Sequence, residues 1–558
     1  MMSSSGEETG SSRGASVRYH SLDALRAVMM LLGLVLHAAW LMMPEYFFNS
    51  RSDPRGHTGF LYFACWIHVF RMQTFFVIAG FFAHLLVAKR GMRSFLRNRT
   101  TRVVLPLFVG MLVLFPLLRW QEIRGGLQTG RIQTELGSWD HTLQHFLDMP
   151  SEIGNQWPYH LWFLETLCLL YVLSVVCRFA CDRFLDRSGY LRRRVQSAVE
   201  EIAGSTFCVP VLAVPVAVLM FWRNSWFGVH VGPLNPSWIG TACYWFIFWI
   251  GWCLYVKPDL IQRVGRNWRL KMLAGSLLAV ALATVFIGDW KQHRTRVGPV
   301  VPEMDLTVIV DEARFRSDLL SDGNAKQDRV RRAIRERIDP EYLAMVRRGE
   351  RLTSDKAFGL VLQINKNVID SFDLATIERC ADAGLDENPK WKSWVMKPVE
   401  ERPGSVRKPI NAALLHAVFP DSLRPDDPRT RWEAAGYFYA YAVATWLLIV
   451  AWFGFFEECF SEQSDKVRYY SDAAYWLYLV HVPVQFEMSL WLGDLSWPPF
   501  LKFLAYLAGA LMVGVPTYHH FVRSTWVGHW LNGRRYDRKP FLESAVLPGR
   551  GDDGVRSG

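Results

Sequence analysis

The chain has 558 residues, of which 51% are hydrophobic and 14% aromatic, with 24 Trp and 36 Phe. This apolar and aromatic content exceeds that of an ordinary soluble chain and indicates a membrane protein. The formal net charge is +11, but the Lys and Arg residues lie mainly in short segments between apolar runs. That distribution argues against a nucleic-acid partner.

The mean hydropathy of +0.07 averages over two kinds of segment, because a polar block at residues 290–433 dilutes the apolar runs. Eight of the nine cysteines lie in or beside those runs, so no disulfide framework is expected. Residues 1–17, rich in Ser and Gly, are predicted to be a disordered cytoplasmic segment rather than a cleavable signal peptide.

The apolar runs predict membrane-spanning helices, since about 20 apolar residues are needed to cross the hydrocarbon. Ten candidates lie near 22–43, 60–88, 103–119, 161–179, 208–222, 237–256, 272–289, 435–456, 472–492 and 499–521. The sequence therefore predicts an all-α polytopic membrane protein with about ten transmembrane helices, seven within 18–289 and three within 434–522.

Basic residues predict the orientation of these helices. The connection from Lys89 to Arg102 contains only basic charges, and the connections after the fourth and sixth spans are also basic. The alternate connections near 44–59, 223–236 and 493–498 are poor in Lys and Arg. Both termini, including the basic tail 523–558, are therefore expected in the cytoplasm of a bacterial inner (plasma) membrane.

This topology places the polar block 290–433 on the extracytoplasmic side. Its charged, helix-like stretch at 325–348 and its apolar segments at 358–369 and 412–419 favour an inserted soluble domain of unknown task. A mobile spacer is the alternative.

The first span carries ionisable residues on one face. Arg26 and His37 are eleven residues apart, which is about 20° past three helical turns and about 16 Å along the axis. Asp23 and Gly33 follow the same stripe. Ionisable groups inside a membrane are costly and mark functional sites, although Arg26 could instead snorkel and His37 could form a helix–helix hydrogen bond.

Other spans place polar residues at a similar depth, which favours a site over isolated helix–helix contacts. They are His68, Arg71 and Gln73 in the second span, His160 and Glu165 at the start of the fourth, and Tyr475, Tyr478 and His481 in the ninth.

Five segments together resemble the membrane acyltransferase-3 family. They are LDALRA at 22–27 with His37 eleven residues after Arg26, FRMQTFFVIAG at 70–80, RTTRVVLP at 99–106, HLWFL at 160–164 and YLVHVP at 478–483. The likeness covers roughly residues 18–290 and 435–530 and is greatest to the branch of periplasmic-glucan succinyltransferases. Two features depart from it: Ala79 stands where a serine is usual, and the block 290–433 has no counterpart.

The resemblance implies transfer of an acyl group from cytoplasmic acyl-CoA to a hydroxyl of an extracytoplasmic glycan. The donor would be acetyl-CoA or succinyl-CoA, and no metal is expected. The acyl group, the acceptor and the oligomeric state are left open. A transporter or flippase of glycans or lipids, and a membrane-anchored ligand-binding protein, are the alternatives.

The resemblance also suggests roles for the polar residues. His37 would be the general base, or else form an acyl-histidine intermediate, and Arg71 or Gln73 would stabilise the oxyanion. The remaining catalytic candidates are Arg26, which would position the thioester, His160, and Asp23, with Asp23 or Glu165 orienting an imidazole. The donor-binding candidates are Arg99, Arg102, Tyr478 and His481.

Overall fold

The computed structural model describes residues 19–43, 55–128, 159–223, 238–293, 428–538, 540 and 555–556. The N-terminal segment 1–17 and nearly all of the block 290–433 lie outside these residues, so the predicted disordered segment and inserted domain stay predictions. The division of the chain into domains likewise stays a prediction.

The described part of the chain is a helical bundle. Its α-helices are α1 (His20–Leu41), α2 (Thr58–Arg99), α3 (Leu105–Gln128), α4 (Trp162–Ala180), α5 (Tyr190–Gly204), α6 (Cys208–Arg223), α7 (Trp238–Leu254), α8 (Asp259–Gly265), α9 (Trp268–His293), α10 (Pro428–Cys459), α11 (Asp465–Leu492), α12 (Pro499–Thr517) and α13 (Trp526–Asn532). Short π-helices follow α2, α4 and α12 at Thr100–Val104, Cys181–Leu185 and Tyr518–Arg523, and a 3-10 turn, Tyr159–Leu161, precedes α4. Two short strands, β1 (Arg535–Tyr536) and β2 (Val555–Arg556), pair antiparallel.

Helix α1, which carries His37, packs against α2, α10, α11 and α12. Glycines allow neighbouring helices to approach closely: a Cβ atom added at Gly80 of α2 or at Gly251 of α7 would overlap the backbone of the other helix. Small residues have this function in membrane bundles, where van der Waals packing replaces the hydrophobic drive. The close α2–α7 contact therefore depends on residues without side chains.

The fold class is all-α and polytopic, as predicted, but the count of ten spans is not confirmed. Within the described residues, six helices have the length and apolarity to cross a membrane, or up to eight if each of two bent pairs is one span. Two features explain the difference. Residues Thr58–Gly125 count as one continuous helical segment, although they contain two predicted spans. Helix α11 is absent from the helices with the hydropathy expected of a membrane span.

Helix α11 has 28 residues, which is long enough to cross a bilayer. Its polar residues lower its hydropathy, yet they face the interior: the side chains of His481 and Gln485 are 0% exposed. Polar groups at membrane depth are expected inside the bundle rather than against lipid. Average hydropathy therefore overlooks a helix that contributes polar residues to the interior of the bundle.

The predicted loop from Lys89 to Arg102 is helical instead. Helix α2 continues to Arg99 with a break at Gly91, where φ is 76°, and the π-helix Thr100–Val104 joins it to α3. A positive φ is unfavourable for residues with a Cβ atom, so glycine suits this break. The basic segment is consequently a rigid connection rather than a loose one.

Candidate active site

Three histidine rings from separate parts of the chain meet inside the bundle. The ring centroid of His37 in α1 lies 5.2 Å from that of His481 in α11 and 6.3 Å from that of His160 in the 3-10 turn, and the His160 and His481 centroids are 5.3 Å apart. His160 and His481 are buried, whereas His37 is half-buried. Of the three residues, His37 is thus the most exposed.

A proline in α11 orients His160. Pro483 has no backbone N–H, so it cannot donate to the carbonyl of Leu479 one turn earlier. That carbonyl oxygen lies 3.2 Å from Nε2 of His160. Because a carbonyl can only accept, Nε2 must carry the proton, and Nδ1 is left as an acceptor with no hydrogen-bond partner among the described residues.

Backbone carbonyls orient His481 in the same way. Its Nδ1 atom lies 2.7 Å from the carbonyl oxygen of Tyr478 and 3.1 Å from that of Leu477. Nδ1 must therefore be the protonated nitrogen, and Nε2 is a buried acceptor without a hydrogen-bond partner in the described part of the chain. Tyr478 adds a further link, since its hydroxyl donates to the carbonyl oxygen of His160 at 2.6 Å.

The guanidinium of Arg71 completes this group, which we name the histidine cluster: His37, His160, His481, Tyr478 and Arg71. Arg71 is 8% exposed and packs over Gly33, where an added Cβ atom would lie 2.5 Å from Nη1 of the guanidinium. It lies within electrostatic range of His37, His481 and Tyr478. The space left by Gly33, one turn before His37, is thus filled by a cation.

Gln73 takes a different position from Arg71. Two residues further along α2, it is turned by about 200° around the helix axis, and it shares a face with Val77 and Gly80, which contact α7. Its side chain is 1% exposed, and neither amide atom has a hydrogen-bond partner among the described residues. The structure therefore brings Arg71, but not Gln73, to the histidine cluster.

The predicted donor residues near the other end of α1 form a second group. Arg102 lies within electrostatic range of Arg26 and Arg99, and Tyr171 lies within range of all three. The Arg99 guanidinium lies 4.9 Å from the ring centroid of Tyr171. We name Arg26, Arg99 and Arg102 the arginine cluster. It is a concentration of positive charge about 16 Å along α1 from His37.

Two sequence-based roles do not fit this placement. Asp23 is fourteen residues before His37, about 21 Å along α1, and its carboxylate pairs with the Arg26 guanidinium at 3.1 Å. It is too far away to orient the imidazole. Tyr478 and His481, predicted to bind the donor with Arg99 and Arg102, belong to the histidine cluster instead.

Sequence reasoning missed two interior glutamines that join helices at this level. The Gln485 amide donates to the carbonyl oxygen of Leu34 at 2.9 Å, and the Gln121 amide donates to that of Pro483 at 2.9 Å. Gln485 lies four residues after His481, on the same face of α11, which was an available signal. Nothing in the local sequence marks Gln121.

Three neighbouring imidazoles raise the question of a metal site. Within the described ranges, no group of three or more His, Cys, Asp or Glu side chains has the arrangement to hold a metal ion.

Comparison with known proteins defines the class. A family model described as "Acyltransferase domain" matches residues 19–305, which include α1, Arg71, His160 and the whole arginine cluster. This match covers half of the chain, so the protein belongs to the acyltransferase-domain family. It is a multi-pass membrane member of that family, as its apolar helices require.

Individual relatives match over a shorter stretch. They include the glucans biosynthesis protein C of Escherichia coli O6:K15:H31 (strain 536 / UPEC) and that of Escherichia coli O1:K1 / APEC, each 28% identical over 158 residues. The match covers 28% of this chain and 38% of each relative. No solved structure matches the chain.

Proposed function

We propose that the protein transfers an acyl group, acetyl or succinyl, from cytoplasmic acyl-CoA to a hydroxyl of an extracytoplasmic glycan, with His37 as the general base. The family supports the reaction type, and the printed name of the relatives, which refers to glucan biosynthesis, supports a carbohydrate acceptor. The observation that carries the proposal is the half-buried imidazole of His37 beside two buried imidazoles with fixed orientation.

His37 is suited to take a proton. No hydrogen bond fixes its ring to another described residue, so a nitrogen lone pair is available for a substrate hydroxyl. The unpaired acceptor nitrogens belong to His160 and His481, which can share the positive charge that develops on His37. A neutral imidazole is a common general base, because it can take a proton from a hydroxyl and later return it.

The reaction balances with these residues. The hydroxyl gives its proton to His37, and its oxygen attacks the thioester carbonyl carbon. The oxyanion that forms would be stabilised by Arg71, a buried cation that needs no reorganisation. When the intermediate collapses, the C–S bond breaks, and the leaving thiolate takes the proton from His37 to give free coenzyme A. Acyl transfer by way of an acyl-histidine is the variant with the same groups.

The arginine cluster supports the donor assignment. Arg26, Arg99 and Arg102 lie together; Asp23 pairs with Arg26 at 3.1 Å, and the nearby carboxylate of Asp472 is already bound by Arg534 and Tyr536 at 2.6 Å. Guanidinium groups recognise phosphates with good geometry. Coenzyme A phosphates at this cluster would leave the pantetheine arm to bridge the distance to His37.

The test is acyl transfer by the purified protein. His37→Ala should lower the rate by about two to four orders of magnitude, the range for loss of a general base. His520→Ala is the matched control, because His520 is exposed in the π-helix after α12. Transfer by His37→Ala at the wild-type rate would refute the assignment of the base. A wild-type protein that neither transfers nor hydrolyses acyl-CoA would refute the proposed activity.

A further inference from the structure

A cavity of about 830 Å³ lies between α4, α5 and α7, away from the histidine cluster. His84 of α2 lines it, thirteen residues after Arg71, which places the cavity about 20 Å further along that helix. It lies at the end of the bundle that the basic residues predict to be cytoplasmic. The proposed reaction assigns no role to this cavity.

Arginines line one side of the cavity and are incompletely neutralised. Arg178 and Arg192 share the carboxylate of Asp182, at 3.6 Å and 2.5 Å. Arg193 reaches only a neutral acceptor among the described residues, the carbonyl oxygen of Ser188 at 3.1 Å. Asp186, also in the lining, accepts from two backbone N–H groups of α5 and pairs with Arg192 at 3.4 Å, while Glu200, the other acid of the lining, pairs with Lys257. The cavity therefore offers positive charge to an anion.

The opposite side is aromatic. Trp245, Trp249 and Trp252 of α7 line the cavity, and the His84 ring stacks on Trp252 with centroids 4.6 Å apart and an interplanar angle of 11°. Tryptophan is enriched where a membrane meets water. The cavity thus combines cationic and apolar walls, as an amphiphile requires.

The surroundings indicate where such a ligand comes from. Helix α5 meets α6 at 119°, so when α6 crosses the membrane, α5 lies near its surface. Phe184 and Leu185, just before α5, are 68% and 71% exposed. Exposed apolar side chains beside the arginines of a surface-lying helix are typical of the interface with an anionic leaflet, and here they come from the π-helix Cys181–Leu185 that precedes α5.

We propose that this cavity binds an anionic phospholipid of the surrounding leaflet. The headgroup phosphate contacts Arg178 and Arg193, and an acyl chain lies along the tryptophans of α7. Acyl-CoA also joins phosphate groups to an acyl group. The experiment therefore has to distinguish binding of a phospholipid from binding of acyl-CoA. This site is independent of the proposed function, because lipid binding requires no acyl transfer.

The test uses the purified full-length protein in detergent, titrated with phosphatidylglycerol or with zwitterionic phosphatidylcholine and followed by native mass spectrometry. The double variant Arg178→Gln/Arg193→Gln should bind phosphatidylglycerol at least about tenfold more weakly than the wild type, as expected for two lost interfacial cations. Arg187→Gln is the matched control, since Arg187 is exposed on the same connection but is not in the lining. Its affinity should equal that of the wild type.

Three results would overturn the proposal. Equal binding of phosphatidylglycerol by the double variant and by Arg187→Gln would exclude the cavity as the site. Equal binding of phosphatidylcholine and phosphatidylglycerol by the wild type would exclude recognition of anionic charge. Displacement of bound phosphatidylglycerol by acyl-CoA, abolished in the double variant, would assign the cavity to the donor instead of the lipid. His37→Ala should retain lipid binding, which separates this result from the activity.

Discussion

Nε2 of His160 lies 3.2 Å from the carbonyl oxygen of Leu479, an acceptor that Pro483 leaves without a helical donor. A proline in a helix interior costs about 3 kcal/mol relative to alanine. Here it releases a carbonyl into the bundle interior, and that carbonyl selects one protonation form of a buried imidazole. Pro483 therefore destabilises the helix but leaves a carbonyl free to make a defined polar contact at the proposed active site.

Pro483→Ala should lower the rate of acyl transfer without lowering thermal stability. Alanine restores an N–H group that can bond the Leu479 carbonyl, so His160 loses its acceptor while the helix gains a hydrogen bond. We expect a loss of at least about tenfold in kcat, measured beside Tm. Pro516→Ala is the control, because Pro516 lies inside α12, outside the histidine cluster. An unchanged kcat in Pro483→Ala would show that His160 needs no such orientation.

Gly33→Ala should displace Arg71. The added methyl group would lie 2.5 Å from Nη1 of the guanidinium, well inside van der Waals contact, so the cation has to shift. If Arg71 stabilises the oxyanion, kcat should fall by up to about 10²–10³-fold, the range for loss of one such donor. Gly436→Ala meets nothing within 4 Å and should retain full activity. A fully active Gly33→Ala would remove Arg71 from the mechanism.

Arg102→Lys should weaken donor binding more than catalysis. Lysine keeps the positive charge but loses the planar fork that matches phosphate. The KM for acyl-CoA should rise by about tenfold, with a smaller change in kcat. Arg97→Lys is the control, since Arg97 is exposed on the same basic segment. An equal KM in both variants would argue that the basic charge serves membrane orientation alone. Arg26→Lys tests a second member of the arginine cluster, on α1, and its KM for acyl-CoA is compared with that of Arg97→Lys in the same way.

Asp186 should make the start of α5 sensitive to acid. Burial alone would raise the pKa of its carboxyl, but the backbone N–H groups of Arg192 and Leu191 and the Arg192 guanidinium hold that pKa below its ordinary value. A carboxyl with a lowered folded pKa stabilises the structure above its unfolded pKa of about 4, and that stability is lost as the pH falls through the folded pKa. Hydrogen-exchange protection of α5 should therefore decrease in acid.

Two variants check this interpretation. Asp186→Asn should reduce α5 protection at neutral pH and remove most of its acid dependence. Asp182→Asn removes an ion-pair partner of Arg192 but no backbone acceptor, so α5 should keep most of its protection. Similar protection in both variants at neutral pH would contradict a capping role for Asp186.

The sequence predicted the helices well because apolar runs and basic connections are local signals. Each predicted span coincides with a helix in the structure, from α1 through α12. The basic segment at 89–102 was interpreted as a loop because charge indicates exposure and topology without indicating backbone conformation. The apolar run at 472–492 likewise predicts α11, although this helix is absent from the candidate membrane-spanning helices of the structure.

The site could be predicted only in part. Spacing aligned Arg26 with His37 on α1, but it could not give the contacts of either residue, and Arg26 pairs with Asp23 far from the histidines. The similar depth of Arg71 and His37 in the membrane grouped these two residues. Depth could not separate Arg71 from Gln73, because the two side chains lie on different faces of α2. Contacts between helices depend on rotation as well as depth, and rotation is set by packing.

The sequence by itself determined the membrane-protein class, the approximate position of the spanning helices and several of the polar residues inside them, because hydrophobic length and charge are properties of short segments. Only the tertiary structure decided that His37, His160 and His481 meet while Asp23 does not join them. The physical reason is that the imidazoles reach their positions through elements separated by long stretches of chain, and that backbone carbonyls of α11 select the protonation forms of His160 and His481.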